Sequence, residues 1–199
     1  MELWADELAC CRGGRQVFQG ISFKVPAGEA LIVTGPNGAG KSSLLRMIAG
    51  LVRIAAGRLA LHGGATDAPI SEQAHYLGHQ DAMKPSLTVA ENLRFWARFL
   101  GSGNDIKAAL DSLDLGRLAD LPAAYLSAGQ RRRLSIARLV AVSRPIWLLD
   151  EPASSLDASS QARLSELMRN HLAGGGLIVA AAHGAIGLER ARELGLGTS

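Results

Sequence analysis

Gly35-Pro36-Asn37-Gly38-Ala39-Gly40-Lys41-Ser42 has the spacing of a loop that cradles phosphate groups. Its glycines let the backbone curl until successive N–H groups point inward at an anion. A helix leaving the loop adds the positive end of its dipole. Lys41 is placed to reach the β- and γ-phosphates of a nucleotide and the Ser42 hydroxyl to bind Mg²⁺, with Ser43 in the same cradle. A chance glycine-rich turn has no reason to end in Lys-Ser between an apolar strand and a helix, so nucleotide binding is the expectation.

The second half of the chain supplies acids. Ile146-Trp147-Leu148-Leu149-Asp150-Glu151 reads as an apolar strand ending in two carboxylates, with Pro145 marking its start. Asp150 can hold the Mg²⁺ shell. Glu151 can polarise an attacking water as general base. Alone, this string would be a buried strand and a solvated acidic turn; the phosphate loop upstream changes that reading. His183 follows an apolar strand at 177–182, and Gln80 follows a strand at Ala74–Leu77. A lone His is more often structural and a lone Gln is a weak signal, so their weight comes from their order along the chain. His62, His75, His79 and His171 show no metal-ligand spacing and read as structural or solvent-facing.

Ser127-Ala128-Gly129-Gln130 fits the Ser-x-x-Gln capping box that opens a helix, here over residues 131–142. The same geometry, with a serine hydroxyl and the Gly129 N–H at a helix N-terminus, also suits a terminal phosphate. Arg131-Arg132-Arg133 reads as a solvated basic face that could in part meet a partner or nucleotide.

These residues need a scaffold. Residues 30–34 read as the strand entering the loop. Residues 42–49 read as the helix leaving it, with Leu44, Leu45 and Ile48 on one face and Gly50 as its stop. Thr88-Val89-Ala90-Glu91 is a second capping box. Val89, Leu93, Trp96 and Leu100 then form an apolar stripe expected in the core. Residues 101–104 and 174–176 read as loops. The expectation is one α/β domain over 1–199. Residues 1–81 and 143–199 give a parallel core with an antiparallel β edge, and 82–142 give a helical subdomain carrying Ser127–Gln130.

Leu126-Ser127-Ala128-Gly129-Gln130 beside the phosphate loop resembles the signature of ABC-type ATPases, and the resemblance covers nearly the whole chain. The chain is similar to the nucleotide-binding subunits of ABC transporters, whose fold is a P-loop NTPase core of ABC ATPase type. More narrowly it resembles the ATP-binding subunits of haem exporters of cytochrome c maturation. Its short length, the Arg-Arg-Arg after the signature, Gly78-His79-Gln80, Glu91-Asn92-Leu93-Arg94-Phe95 and Leu149-Asp150-Glu151-Pro152 carry that likeness. The resemblance implies ATP and Mg²⁺ as cofactors. It makes Gln80 a residue near Mg²⁺ and the attacking water, His183 a sensor of the γ-phosphate, and Ser154-Ser155-Leu156-Asp157 a loop facing the opposite subunit. It also implies a head-to-tail dimer in which Ser127, Ala128, Gly129 and Gln130 meet the partner's ATP, and integral membrane permease subunits as further partners.

Three positions depart from the pattern. The residue after His183 is Gly184, which makes a looser turn the expectation there. The usual third residue of the signature is Gly, where this chain has Ala128. The aromatic residue that stacks on adenine is replaced in Cys10-Cys11-Arg12-Gly13-Gly14, where the Arg12 guanidinium is the expected substitute.

Composition narrows the alternatives. A net charge of +3 over 199 residues gives no argument for nucleic acid. The adjacent Cys10 and Cys11 suggest no disulfide framework and so a reducing compartment. The N-terminus lacks a signal peptide's apolar core, and no apolar run nears the roughly 20 residues of a membrane span. The expected location is the cytoplasmic face of the cell inner membrane, reached through membrane subunits. The alternatives are an ABC ATPase subunit exporting another substrate and a soluble ABC ATPase acting on a non-membrane partner such as ribosomes or DNA, but one phosphate loop and no heptad run argue against the latter. A small-molecule kinase shares the loop but lacks use for the signature string.

Overall fold

Two patterns of burial separate two sheets in the computed structural model, which describes residues 1–101, 105–182, 186–189 and 191–197. Strands β1 (Glu2–Arg12), β2 (Arg15–Pro26) and β4 (Ala56–His62) form an antiparallel sheet in the order β2-β1-β4. Buried Leu3 and Ala5 alternate with more exposed neighbours, as a sheet with one wet face requires. Strands β3 (Ala30–Thr34), β5 (Ala74–Leu77), β6 (Ile146–Asp150), β7 (Leu177–Ala181) and β8 (Ala191–Gly195) form a second sheet in the order β5-β6-β7-β3-β8, all pairs parallel. Every residue of β6 and β7 is buried, because both faces of this sheet are covered.

Alternate side chains of the parallel sheet feed two cores. Leu148 and Val179 pack with α1 (Lys41–Ile48) and the antiparallel sheet. Leu149 and Ile178 pack with α2 (Val89–Phe99), α3 (Ile106–Asp111), α4 (Ala128–Ala141) and α5 (Ala158–Ala173). Helix α1 is thus held between the sheets, and its N-terminus meets the carboxyl end of β3. Ligands of open α/β sheets sit at that edge.

The expected elements lie close to where the spacing put them. Both capping boxes form: the Thr88 hydroxyl accepts from the Glu91 N–H, and the Ser127 hydroxyl from the Gln130 N–H. Helix α4 begins at Ala128, three residues ahead of the expected 131, because Ser127 is its N-cap. Gly50, at φ 74°, closes α1 in the left-handed conformation that favours glycine. Of the apolar stripe, Val89 and Leu93 are fully buried, while Trp96 and Leu100 are only partly covered at the rim of a cavity. Three histidines have structural roles. The His75 Nε2 lies 2.7 Å from the Val142 carbonyl, and burial pushes its pKa down to about 4, so the ring is neutral at pH 7. His171 stacks on Trp147 at 4.0 Å between ring centroids, and His62 tilts against Trp4.

The basic run requires a correction. Arg132 is 2% exposed and makes no solvated face. Successive residues of a helix point about 100° apart, so three consecutive arginines must enter three environments. Arg131 donates to the Leu126 carbonyl and Arg133 to the Leu113 carbonyl, while Arg132 turns inward toward the end of β6.

Candidate functional site

Gly40 ends the phosphate loop at φ 103°, and a Cβ there would lie 2.7 Å from Val17 Cγ1 and 2.8 Å from Phe18 Cδ1. Both backbone angle and space therefore demand glycine. The loop then passes into α1 with Lys41 as its first residue. Lys41 is 8% exposed, and its ammonium donates to the carbonyls of Gly35 at 2.6 Å and Pro36 at 3.2 Å. Ala39 N–H closes the turn on the Pro36 carbonyl at 3.2 Å.

Across the loop, the Ser42 hydroxyl donates to Asp150 Oδ1 at 3.0 Å. Asp150 is the last residue of β6, and Glu151 follows at φ 47°, with its N–H donating to the Ala181 carbonyl at 2.9 Å. A left-handed non-glycine residue at a strand tip is a strained feature of the kind found at functional sites. A cavity of about 520 Å³ gathers these groups. Arg12, Asn37, Gly38, Gly40, Lys41, Ser42, Ser43, Asp150 and Glu151 all line it, joined by Val17.

Other expected residues lie elsewhere. Gln80 is exposed and lines a second cavity of about 570 Å³ between α1, β5 and α2. Ser127, Ala128, Gly129 and Gln130 sit at the N-terminus of α4 and do not line the phosphate-loop cavity. A Cβ on Gly129 would lie 3.0 Å from the Ser155 carbonyl, so the signature turn packs directly on the loop after β6. His183 and Gly184 fall outside the described residues.

Sequence reasoning missed a polar chain beneath the loop. Arg46 Nε donates to the Tyr76 hydroxyl at 3.1 Å, and that hydroxyl donates to Asp150 Oδ2 at 3.4 Å. Burial holds the Tyr76 phenol above its ordinary pKa, with the Arg46 hydrogen bond pulling the other way. The hydroxyl therefore keeps its proton at neutral pH and serves as a donor. A tyrosine inside a short apolar strand was the available signal, since a buried phenol normally finds a partner.

Two hard oxygen donors, the Ser42 hydroxyl and the Asp150 carboxylate, converge beside the loop. Mg²⁺ suits such a set, because it takes few protein ligands and completes its shell with water and phosphate oxygens. Among the described residues no group of three His, Cys, Asp or Glu side chains offers an all-protein metal site.

A phosphate loop, a strand-tip acid pair and a capped signature helix on one α/β scaffold define a family. The ABC transporter family model matches residues 18–154. The chain belongs to the ABC transporter family. Within it, the ABC protein is 59% identical over 193 residues to "Cytochrome c biogenesis ATP-binding export protein CcmA" of Rhodopseudomonas palustris (strain BisB5), with 96% of each chain covered. It is 57% identical over 198 residues to the protein of the same name from Nitrobacter winogradskyi, covering 99% of this chain and 98% of the relative. A solved "ATP binding subunit of ABC transporter" superposes with a TM-score of 0.81 at 25% identity, covering 92% of this chain and 80% of that one.

Proposed function

We propose that this ABC protein is the ATP-hydrolysing subunit of an export complex in cytochrome c biogenesis, with haem or a haem-handling complex as its object. The observation that carries ATP hydrolysis is the single cavity holding Lys41, Ser42, Asp150 and Glu151. The cytochrome c assignment rests on the names of relatives that match over nearly the full chain. In this reading the loop N–H groups bind the ATP phosphates, Lys41 exchanges its carbonyl partners for the β- and γ-phosphates, and Arg12 stacks on the base. Ser42 and Asp150 hold Mg²⁺, which neutralises charge on the phosphates. Glu151 accepts the proton of the attacking water. Gln80, which lines the second cavity, is proposed to reach the γ-phosphate side once ATP is bound, His183 to sense the γ-phosphate as the family resemblance implies, and the partner copy's signature to complete each site head-to-tail.

Tyr76 supports Asp150 from below in this scheme. Groups behind a metal ligand typically tune metal affinity or activity by about 10–100-fold. Tyr76→Phe deletes the 3.4 Å hydrogen bond to Asp150 and, with it, the Arg46 contact behind; the bond to the metal ligand itself is long, so the low end applies. Titrated with a fluorescent ATP analogue, the variant should bind normally without metal and need about tenfold more Mg²⁺ for the metal-dependent step. An unchanged Mg²⁺ requirement would leave Tyr76 a packing residue.

No helix among the described residues is long and apolar enough to cross a membrane. In the proposed reading the protein attaches through permease subunits at the cytoplasmic face of the inner membrane. The second cavity supports that role over action on a soluble partner. Leu51 and Phe99 line it while 65% and 71% exposed, with Arg46 and Arg138 among them. That surface suits a short apolar segment with acidic residues.

Phe99→Glu tests the assignment. Buried aromatic anchors are worth at least about 2 kcal/mol, roughly thirtyfold in affinity. The variant should bind ATP normally, lose co-purification with its membrane subunits, and leave cells short of haem-stained c-type cytochromes. Retained membrane association together with normal cytochromes would remove Phe99 from the docking surface, whereas a parent protein that neither co-purifies with membrane subunits nor is needed for c-type cytochromes would remove the transporter-subunit reading.

A further inference from the structure

Arg132 is an unusual element of this chain. Its guanidinium is buried and surrounded by carbonyl oxygens. Nη2 donates to the carbonyls of Asp150 at 2.9 Å and Glu151 at 2.7 Å, Nη1 to that of Gly78 at 2.8 Å, and Nε to that of Pro152 at 3.2 Å. Asp81 Oδ1 stands 3.5 Å from Nη1 as the ion-pair partner, itself held by the Ser135 hydroxyl at 3.1 Å.

The choice of carbonyls has a geometric consequence. The Asp150 carbonyl belongs to the peptide group before the Glu151 Cα, and the Glu151 carbonyl to the peptide group after it. Fixing both planes fixes φ and ψ of Glu151. That residue sits at φ 47°, where a side chain with a Cβ costs roughly 1–2 kcal/mol. Such a conformation persists only where its surroundings over-determine it. The direction of the Glu151 Cα–Cβ bond, which starts its side chain toward the phosphate-loop cavity it lines, follows from the two planes. Arg132 also lies on α4, whose N-cap is Ser127.

We propose that Arg132 is a positioning residue for hydrolysis: its guanidinium locks the two peptide groups around Glu151, aims that carboxylate at the attacking water, and ties it to the signature helix. The proposal rests on the general-base reading of Glu151. Lysine cannot replace the arginine, because a single ammonium lacks the planar fork that reaches carbonyls on several sides at once.

Arg132→Lys keeps the charge and most of the alkyl stem. It is tested alone and combined with Glu151→Gln, measuring turnover, ATP affinity and thermal unfolding. Misplacing a catalytic group by about 1 Å can cost about a hundredfold, and kcat should fall on that scale while ATP affinity stays within about twofold. In the Glu151→Gln background the added Arg132→Lys should cost no more than about twofold, since the group it aims is already disabled. Equal losses in both backgrounds, or ATP affinity falling in parallel with turnover, would overturn the proposal. Asp81→Asn loosens only the outer contact and should give a smaller loss with the same dependence on Glu151. Should Arg132→Lys fail to fold, that second cycle decides. Normal turnover of Glu151→Gln by itself would instead remove the general-base reading on which the proposal stands.

Discussion

Glu151→Gln should retain ATP and lose turnover by about 10²–10⁴-fold, the usual range for removing a general base. The amide keeps the shape and hydrogen-bonding reach of the carboxylate but cannot accept the water's proton. Binding should survive because the proposed phosphate contacts come from other groups, the loop backbone and Lys41. The backbone at 151 should survive too, since its left-handed turn is held by hydrogen bonds of its own N–H to the Ala181 carbonyl and of its carbonyl to Arg132. With ATP bound and hydrolysis blocked, the two subunits should remain closed on each other. Steady-state phosphate release measures the first effect, and gel filtration with ATP and Mg²⁺ shows the second as a dimer. Turnover within a few-fold of the parent would assign the water to another residue.

The parts of the site that could be read from sequence are those held by one local string. The phosphate loop is such a string, because strand, glycine turn and helix are consecutive and each obeys a local rule. The capping boxes at Thr88 and Ser127 are equally local, and both form. Asp150 and Glu151 could be found because the apolar strand that ends in them follows a phosphate loop upstream, which gives the acids a use.

Arg132 and Tyr76 were hidden for a common physical reason. Their partners lie 18 to 54 and 30 to 74 residues away in sequence. A run of three arginines says that a helix face is basic but not which arginine meets the sheet. That depends on the rotation of α4 against β6, which side-chain packing decides. Tyr76 meets Asp150 only because β5 and β6 pair in parallel with Tyr76 opposite Leu148. The apolar stripe on α2 shows the same limit from the other side. Its spacing predicted the buried Val89 and Leu93, but the cavity beyond them leaves Trp96 half-covered, with Arg138 stacked 4.6 Å from its ring.

Ser127→Arg should abolish hydrolysis while each subunit still binds ATP. Ser127 is exposed at the start of α4 and does not line the cavity that holds Lys41. Within one chain the two motifs therefore form no common site, and a lesion at Ser127 should reach the chemistry only through a second copy. The lost cap costs about 1 kcal/mol, too little to unfold the domain, so thermal unfolding separates instability from a blocked interface. Lys41→Ala breaks the complementary half by removing the cation that meets the phosphates. Mixing the two variants is the sharper experiment. In a mixed dimer one composite site joins an intact phosphate loop to an intact signature, and the other carries both lesions. Random pairing makes about half the dimers mixed, each with one intact site of two, so about a quarter of the parent rate should return if the sites act independently. No recovery, with mixed dimers demonstrated by differential tagging, would mean that the two sites fire only together. Full activity of Ser127→Arg alone would refute the shared-site arrangement, because a large cation would then stand where the partner's γ-phosphate is required to lie.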